Sequence, residues 1–415
     1  MTPTMRTPSA ERYSRQSLIV QDGRTWDQAQ LDDLRVLLVG AGNIGDPVGV
    51  ALARAGVRWI DIADLDTVSE ANLSRGVSYL ASDVGQPKAL VLARHLKEIN
   101  PSMHSDGIVA DIRFEFGTAR FREYDVVVLA THDLASRLHV NRYVHLLPGR
   151  TRAIVEGAID DLSFSVQTIL PGDSPCYACP LPPDQTDPNA YPGCNGVVIE
   201  QQSTPAATNG LDGLAAAALM AKEVVLLGAG LQPFFTESEL RFDGPVGRAS
   251  VYQRPRRESC AEHRRASSEE IFTLPYGPDT TIRELRELVA GQWGVTADRV
   301  LLASPQLLTT YMTCTGCGQR RTVMQPQKAP LRDPACPGCQ RDDPNGYSAE
   351  FSCELTERAE AHTLRDYGIP SGQALAAYCD SERRYLVPEP LLPGTGLDAV
   401  DDAGAPEVDH EAAVA

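Results

Sequence analysis

The sequence predicts an α/β protein: a doubly wound, mostly parallel sheet followed by a smaller, cysteine-rich C-terminal domain. Three observations carry that prediction. The runs "RVLLV", "WIDIAD" and "YDVVVLAT" are short, branched and bounded by turns, the pattern of strands buried on both faces. Helical segments alternate with them, and strand, crossover helix and parallel strand in succession wind such a sheet. The last third of the chain carries "CTGC" and "CPGC", which is metal spacing in a unit with few other core residues.

Taken in order, "DPVGVALARAG" places Pro47 in a first helical turn and Gly56 just past the end, the asymmetry expected of a helix. "QPKALVLARHLKEIN" reads as an amphipathic helix closed by Asn100 and Pro101. After Gly157 the composition turns rich in Pro, Gly and Asp, which predicts a strand followed by a long functional loop. A helix over about 209 to 227 and strands at "ELRFD" and "ASVYQ" complete the first domain, residues 1–265. A second domain, 266–395, contains the helix "TIRELRELVAGQW", with Ile282, Leu285, Leu288 and Val289 facing inward. That stretch has a faint β-grasp likeness, although an ordinary amphipathic helix explains the same pattern. Residues 396–415 hold six acids and no Lys or Arg, the composition of a disordered tail.

The 415 residues carry a formal charge of -17, which argues against nucleic acid as the main partner. The N-terminus has no apolar signal region. The longest apolar run is interrupted by Lys222 and Glu223, so it suits a packed helix rather than a membrane span. Together these features indicate a cytoplasmic protein.

Gly40, Gly42 and Gly45 in "VLLVGAGNIGDP" follow a strand and precede a helix, where backbone amides and the helix dipole receive phosphate. Asp64 ends the next strand, correctly placed for ribose hydroxyls. These features alone also suit a nicotinamide enzyme or a structural turn. Asp66, Asn72 and Arg75 in "DLDTVSEANLSRG" and Lys88 in "DVGQPKA" separate the readings. Carboxylates, an amide and two cations suit a triphosphate with magnesium, in which cations stabilise charge on phosphorus and on leaving pyrophosphate.

Cys176 and Cys179 pair naturally with Cys260 and His263, and Cys314 and Cys317 with Cys336 and Cys339 across eighteen residues. Each set suits a closed structural zinc site, the second with zinc-ribbon spacing. A redox role for either pair is the minor reading. Cys194 stands outside both sets, and Cys353 and Cys379 read as ordinary buried thiols.

"RYSRQ" at Arg12 to Gln16, "GAGNIG", "DLDTVSEANLSR", "GQPKA" and "CYAC", in that order, resemble the ThiF/MoeB/HesA adenylyltransferases, relatives of the ubiquitin-activating enzymes, over roughly residues 11 to 264. The resemblance implies a Rossmann-like adenylation domain in a homodimer. It implies binding of MgATP, adenylation of the C-terminal glycine carboxylate of a small ubiquitin-like protein, and release of pyrophosphate. By the same resemblance Asn72, Arg75 and Lys88 contact phosphates, Arg15 reaches into the partner's site, and a cysteine near Cys194 can join the carrier covalently. The family's magnesium-binding acid follows the strand equivalent to "VVVLAT". Here His132 takes that place and Asp133 follows, so either the turn shifts by one residue or the metal site is weakened, as in an inactive zinc-containing interaction paralogue. No rhodanese-type cysteine loop is present, so sulfur would come from a separate donor. A peptide or a modified tRNA are alternative substrates, the latter disfavoured by the acidic charge.

Overall fold

The computed structural model describes residues 11–182, 208–326, 335–341, 346–355 and 362–389. Cys194 and the acidic tail lie outside the described residues. A short hairpin, β1 (Val20–Gln21) and β2 (Arg24–Thr25), and helix α1 (Gln28–Asp32) precede the main sheet. That sheet is formed by β3 (Arg35–Val39), β4 (Trp59–Ala63), β5 (Gly107–Ile108), β6 (Val126–Leu129), β7 (Ala153–Asp160), β8 (Ser163–Ile169), β9 (Ser238–Asp243) and β10 (Arg248–Gln253). Their spatial order is β10-β9-β8-β7-β6-β3-β4-β5.

The five strands β5, β4, β3, β6 and β7 run parallel, whereas β8, β9 and β10 continue the sheet antiparallel. The chain reverses after Asp160 through Asp161 at φ +54°, so "SFSVQTI" folds straight back on β7 as β8. Order reverses between β3 and β6, and a doubly wound sheet opens its ligand crevice at such a point, outside the carboxyl ends of the strands.

Helices α2 (Gly45–Ala55), α4 (Lys88–Ile99) and α6 (Gly210–Gly228) cover one face, and their apolar stripes share a core with Leu38, Ile60, Ile62 and Val128. Gly56 closes α2 at φ +104° with its N–H on Leu52 O. In α6, Glu223 is fully buried and accepts from Thr168 Oγ1 and from the amides of Phe234 and Phe235. The charge inside the apolar run is therefore a structural acceptor. Helix α5 (Leu134–Leu146) and a 3-10 segment, Thr118–Glu123, cover the other face over Leu37, Val39, Val127 and Ile154. A one-turn helix, α3 (Glu70–Leu73), lies in the loop after β4. Among the described residues no helix is long and apolar enough to cross a membrane.

A second sheet contains β11 (Ile271–Leu274), β12 (Leu301–Cys314), β13 (Arg320–Pro326), β14 (Tyr347–Leu355), β15 (Leu375–Cys379) and β16 (Glu382–Pro388). Its order is β11-β16-β15-β12-β13, with β14 also on β12. Helix α7 (Ile282–Trp293) packs on it through Ile282, Leu285 and Val289, with Leu288 partly buried, and Thr281 and Glu284 cap its start reciprocally. The two sheets meet in one apolar cluster, where Phe116 and Phe121 pack with Ala374 and Val387. Cys379 is buried as expected, whereas Cys353 on β14 is exposed, lying opposite the stretch of β12 between Ala303 and Leu308 where the strand register shifts.

His139 on α5 lies against the rings of Phe121 and Tyr143, and its Nε2 is enclosed without a partner. Burial pushes its pKa down to about 3. Below the ordinary histidine value the unfolded chain takes up a proton that the folded chain refuses. Stability should therefore fall from pH 6.5 towards 3, by up to about 1.4 kcal/mol per pH unit from this group. Urea denaturation of His139→Phe at pH 7, 6 and 5 should show a shallower acid loss than the parent.

Candidate functional site

β3 delivers the glycine loop to the carboxyl edge of the sheet. Gly40 sits at φ +93°, and a Cβ there would lie 2.8 Å from Ala130 O in the turn after β6. A Cβ at Gly45 would come within 1.9 Å of Gly40 O. Gly42 instead faces open space, so backbone is presented where a ligand can approach it. The loop is held from both sides. Asp64 accepts from Ala41 N–H at 2.7 Å and from Asp66 N–H at 2.8 Å, and Tyr79 donates its hydroxyl to Ala41 O at 2.6 Å. Burial raises the Asp64 carboxyl above the usual range, and the nearby Lys88 ammonium opposes that shift.

Lys88 is the first residue of α4 and is buried, with Nζ 2.8 Å from Asp66 Oδ2. A cation at a helix N-terminus opposes the helix dipole, and the Asp66 carboxylate offsets that cost. Asn72 uses its side-chain carbonyl to cap α3, accepting from Ser69 N–H at 2.8 Å and Ser69 Oγ at 3.0 Å, which leaves its NH2 to donate. Arg75 donates to Thr208 Oγ1 at 2.8 Å beside the start of α6, and Asn43 of the glycine loop donates to Asn209 O at 3.0 Å. The start of α6 therefore joins the glycine loop and the Arg75 loop, although they are far apart in sequence.

Sequence reasoning missed Asp46. It is fully buried in the first turn of α2 and accepts from Val77 N–H at 2.6 Å, Ser78 N–H at 3.1 Å and Ser78 Oγ at 2.5 Å. Burial raises its carboxyl, and those donors oppose the shift. Asp46 thus ties the segment following Arg75 to the start of α2. The signal available in sequence was an acid directly after the glycine loop.

The turn after β6 lies against Gly40. His132 is exposed, while Asp133 caps α5 through Ser136 N–H at 2.7 Å and has Arg113 Nη1 at 3.8 Å. Arg15 is not at this edge. Its neighbours bind the far ends of two helices, Gln16 to Ala55 O and Arg12 to Ile99 O. The eleven-residue α2, about 16 Å long, separates that position from the glycine loop.

A nucleoside triphosphate fits this arrangement. Gly42 is open, Lys88 and Arg75 bring cations, and Asn43 Oδ1 and Thr131 Oγ1 are buried without partners beside the loop. Either cysteine set likewise fits zinc. In the first, Cys176 Sγ lies 3.7 Å from the sulfurs of Cys179 and Cys260, and Cys179 Sγ lies 3.5 Å from His263 Nδ1. In the second, Cys314–Cys339 and Cys317–Cys336 are 3.7 and 3.6 Å apart. A tetrahedron with Zn–S near 2.3 Å has edges of about 3.8 Å. Burial and the adjoining thiols push the Cys176 thiol up, a penalty that a bound dication reverses. In the second set, amides of Cys339 and Gly338 help hold Cys336 down at about 6.

Gly45→Ala should destabilise the fold by about 1–3 kcal/mol, because the methyl meets backbone and the loop must shift. Gly42→Ala should cost less than about 1 kcal/mol. Denaturation of the two variants side by side checks the contrast.

Residues 13–338 match the ThiF family. The chain is 35% identical over 189 residues to the sulfur carrier protein adenylyltransferase of Thermus thermophilus, covering 44% of this chain and 68% of that one. It is 34% identical over 259 residues to the adenylyltransferase and sulfurtransferase MOCS3 of Caenorhabditis briggsae, covering 61% of this chain and 60% of that one. The chain thus spans about three fifths of the length of that second relative. A crystal structure of E. coli MccB with ATP aligns at 22% identity and a TM-score of 0.46, covering 56% of this chain and 68% of that one. The glycine loop, its acid and cation neighbours, the first metal-spaced set and three of the four cysteines of the second fall inside residues 13–338, and by that match, which covers more than half of the chain, the chain belongs to the ThiF family.

Proposed function

We propose that this chain is an ATP-dependent adenylyltransferase that activates the C-terminal carboxylate of a small ubiquitin-like sulfur-carrier protein ending in Gly-Gly. One observation carries the reading: the open glycine loop, Asp64, Lys88 and Arg75 converge on the crevice where strand order reverses. The names of the relatives, sulfur carrier protein adenylyltransferase and ThiS adenylyltransferase among them, support it.

When bound, MgATP supplies an electrophilic α-phosphorus and a dication. The carrier's carboxylate oxygen bonds to that phosphorus as its bond to the bridging oxygen breaks, and pyrophosphate leaves with the electron pair. In this reading Gly40, Gly42 and Gly45 cradle the phosphates, Asp64 holds the ribose, and Asn72 donates to phosphate oxygen. Arg75 and Lys88 neutralise the developing charge, with Asp66 positioning Lys88. Asp133 stands in for the magnesium-binding acid through the oxygen not used to cap α5.

Residues 1–265 form the adenylation domain and 266–395 the zinc-ribbon domain. Zinc in both cysteine sets is structural, and paired thiols of this kind suit the reducing cytoplasm. Arg15 acts across a homodimer, since its own chain holds it away from the crevice. The Cys194 thiolate attacks the acyl carbon of the adenylated carrier, whose bond to the AMP oxygen breaks as AMP leaves, and a separate protein donates sulfur. A second reading rests on Asp133: its use as a helix cap beside Arg113 suits a catalytically inactive paralogue.

Carrier-dependent ATP–pyrophosphate exchange tests the proposal. Arg75→Ala and Lys88→Ala should each lower exchange by about 10²–10³-fold. Absence of both exchange and ATP binding would refute the enzyme reading. Activity gained only on His132→Asp would establish the inactive one. Metal analysis should find two zinc ions per chain, falling to one in Cys336→Ser.

A further inference from the structure

We propose that the second sheet is a working part of the adenylation site: its Gly372–Gln373 turn grips the loop that carries Arg113, and Arg113 is a positioning residue for Asp133. This inference rests on the function proposed above.

The loop in question runs from β5 to β6 across the carboxyl ends of β3 and β4, where Ile112 packs with Val39 and Ala63. Its middle is clamped from outside. Thr118 Oγ1 accepts from Gln373 Nε2 at 3.0 Å and from Ala374 N–H at 3.2 Å, and Ala119 N–H donates to Gly372 O at 2.9 Å. Thr118 is fully buried and Gln373 is 2% exposed, so the contact is sealed from water and its bonds are costly to leave unmade. The backbones touch as well. A Cβ on Gly117 would lie 2.0 Å from Ser371 O, and Gly372 adopts φ +74°. Tyr276 Oη lies 2.8 Å from both Gln373 O and Leu386 O and shares its one proton between them, which anchors the turn to the second sheet.

Five residues before Thr118, Arg113 is held by Asp111 through Nε at 2.9 Å and Nη2 at 2.6 Å. Its third nitrogen, Nη1, lies 3.8 Å from Asp133 Oδ1, the oxygen that also receives Ser136 N–H. The Ser136 amide thus fixes this oxygen, the Arg113 guanidinium faces it across a longer ion pair, and the other oxygen is left to meet a cation. Carboxylates that ligate metals are commonly held this way by neighbouring donors. Movement of the clamp would be felt at Asp133, although Gln373 lies 240 residues away in sequence.

Binding of a non-hydrolysable ATP analogue to the full chain, measured by titration calorimetry with and without added magnesium, tests this. Gln373→Ala and Arg113→Ala should each weaken binding about fivefold with magnesium, the size of one lost hydrogen bond or partly shielded ion pair, and less than about twofold without it. The double variant should bind no worse than Arg113→Ala alone, because both act through one element. Additive losses, equal losses without magnesium, or unchanged affinity in Gln373→Ala would overturn the inference. Should Gln373→Ala fail to fold, Thr118→Val removes only the shared hydroxyl and carries the same comparison. If the parent chain itself binds no nucleotide, the proposed function falls and takes this inference with it. Parent binding with unresponsive variants refutes the inference alone.

Discussion

Gly40 passes so close to the carbonyl of Ala130 that no side chain fits between them, and the site is built outward from that contact. It brings the end of β3 against the turn after β6, the two neighbours between which strand order reverses. The close approach of Gly45 to Gly40 O then starts α2 immediately, so the helix points its N-terminus into the crevice. Parallel strands leave their carboxyl ends on one edge. The loops carrying Asp64, Arg75, Arg113 and Asp133 therefore gather there without any special instruction in their own sequences.

Charge is buried at that edge at a cost, and each charge has a specific partner. Asp64 and Asp46 are both pushed towards protonation by burial, and both are met by backbone amides. Their bonds run between loops, from the glycine loop to the post-β4 segment in one case and from α2 to Val77 and Ser78 in the other. Unpaired, either carboxylate would be expensive. Paired, they hold a preorganised cradle, so a nucleotide would not have to order the loops on arrival.

The second sheet stands on a different foundation. Its apolar core lies under α7, and the cysteine set closes the far end of its long strand, where β12 finishes at Cys314. The sheet is nevertheless not an appendage, because Ala374 and Val387 complete the cluster around Phe116 and Phe121 on the first sheet. The two units share apolar surface, and a shared core transmits displacement.

Much of this was legible in the sequence because its physical causes are local. Branched runs mark β3, β4 and β6; Pro47 and Gly56 mark the ends of α2; CxxC pairs mark the two thiol clusters. The glycines and their acid and cation neighbours were likewise readable, since strand, loop and helix at fixed offsets need only a few residues of context. The antiparallel extension through β8 was less so, because pairing direction depends on a two-residue reversal after Asp160. Asp46 was visible only as an acid directly after the glycine loop, and nothing in the sequence marked Tyr79 or Arg113. Their roles rest on partners 31, 38 and 20 residues away, and the Gln373–Thr118 contact spans 255. By itself the sequence determined the elements, the glycine loop between strand and helix, and the metal-spaced thiols. Tertiary structure alone decided which loops share an edge and which buried charges face one another, because those bonds form between segments that only packing of the sheets brings together.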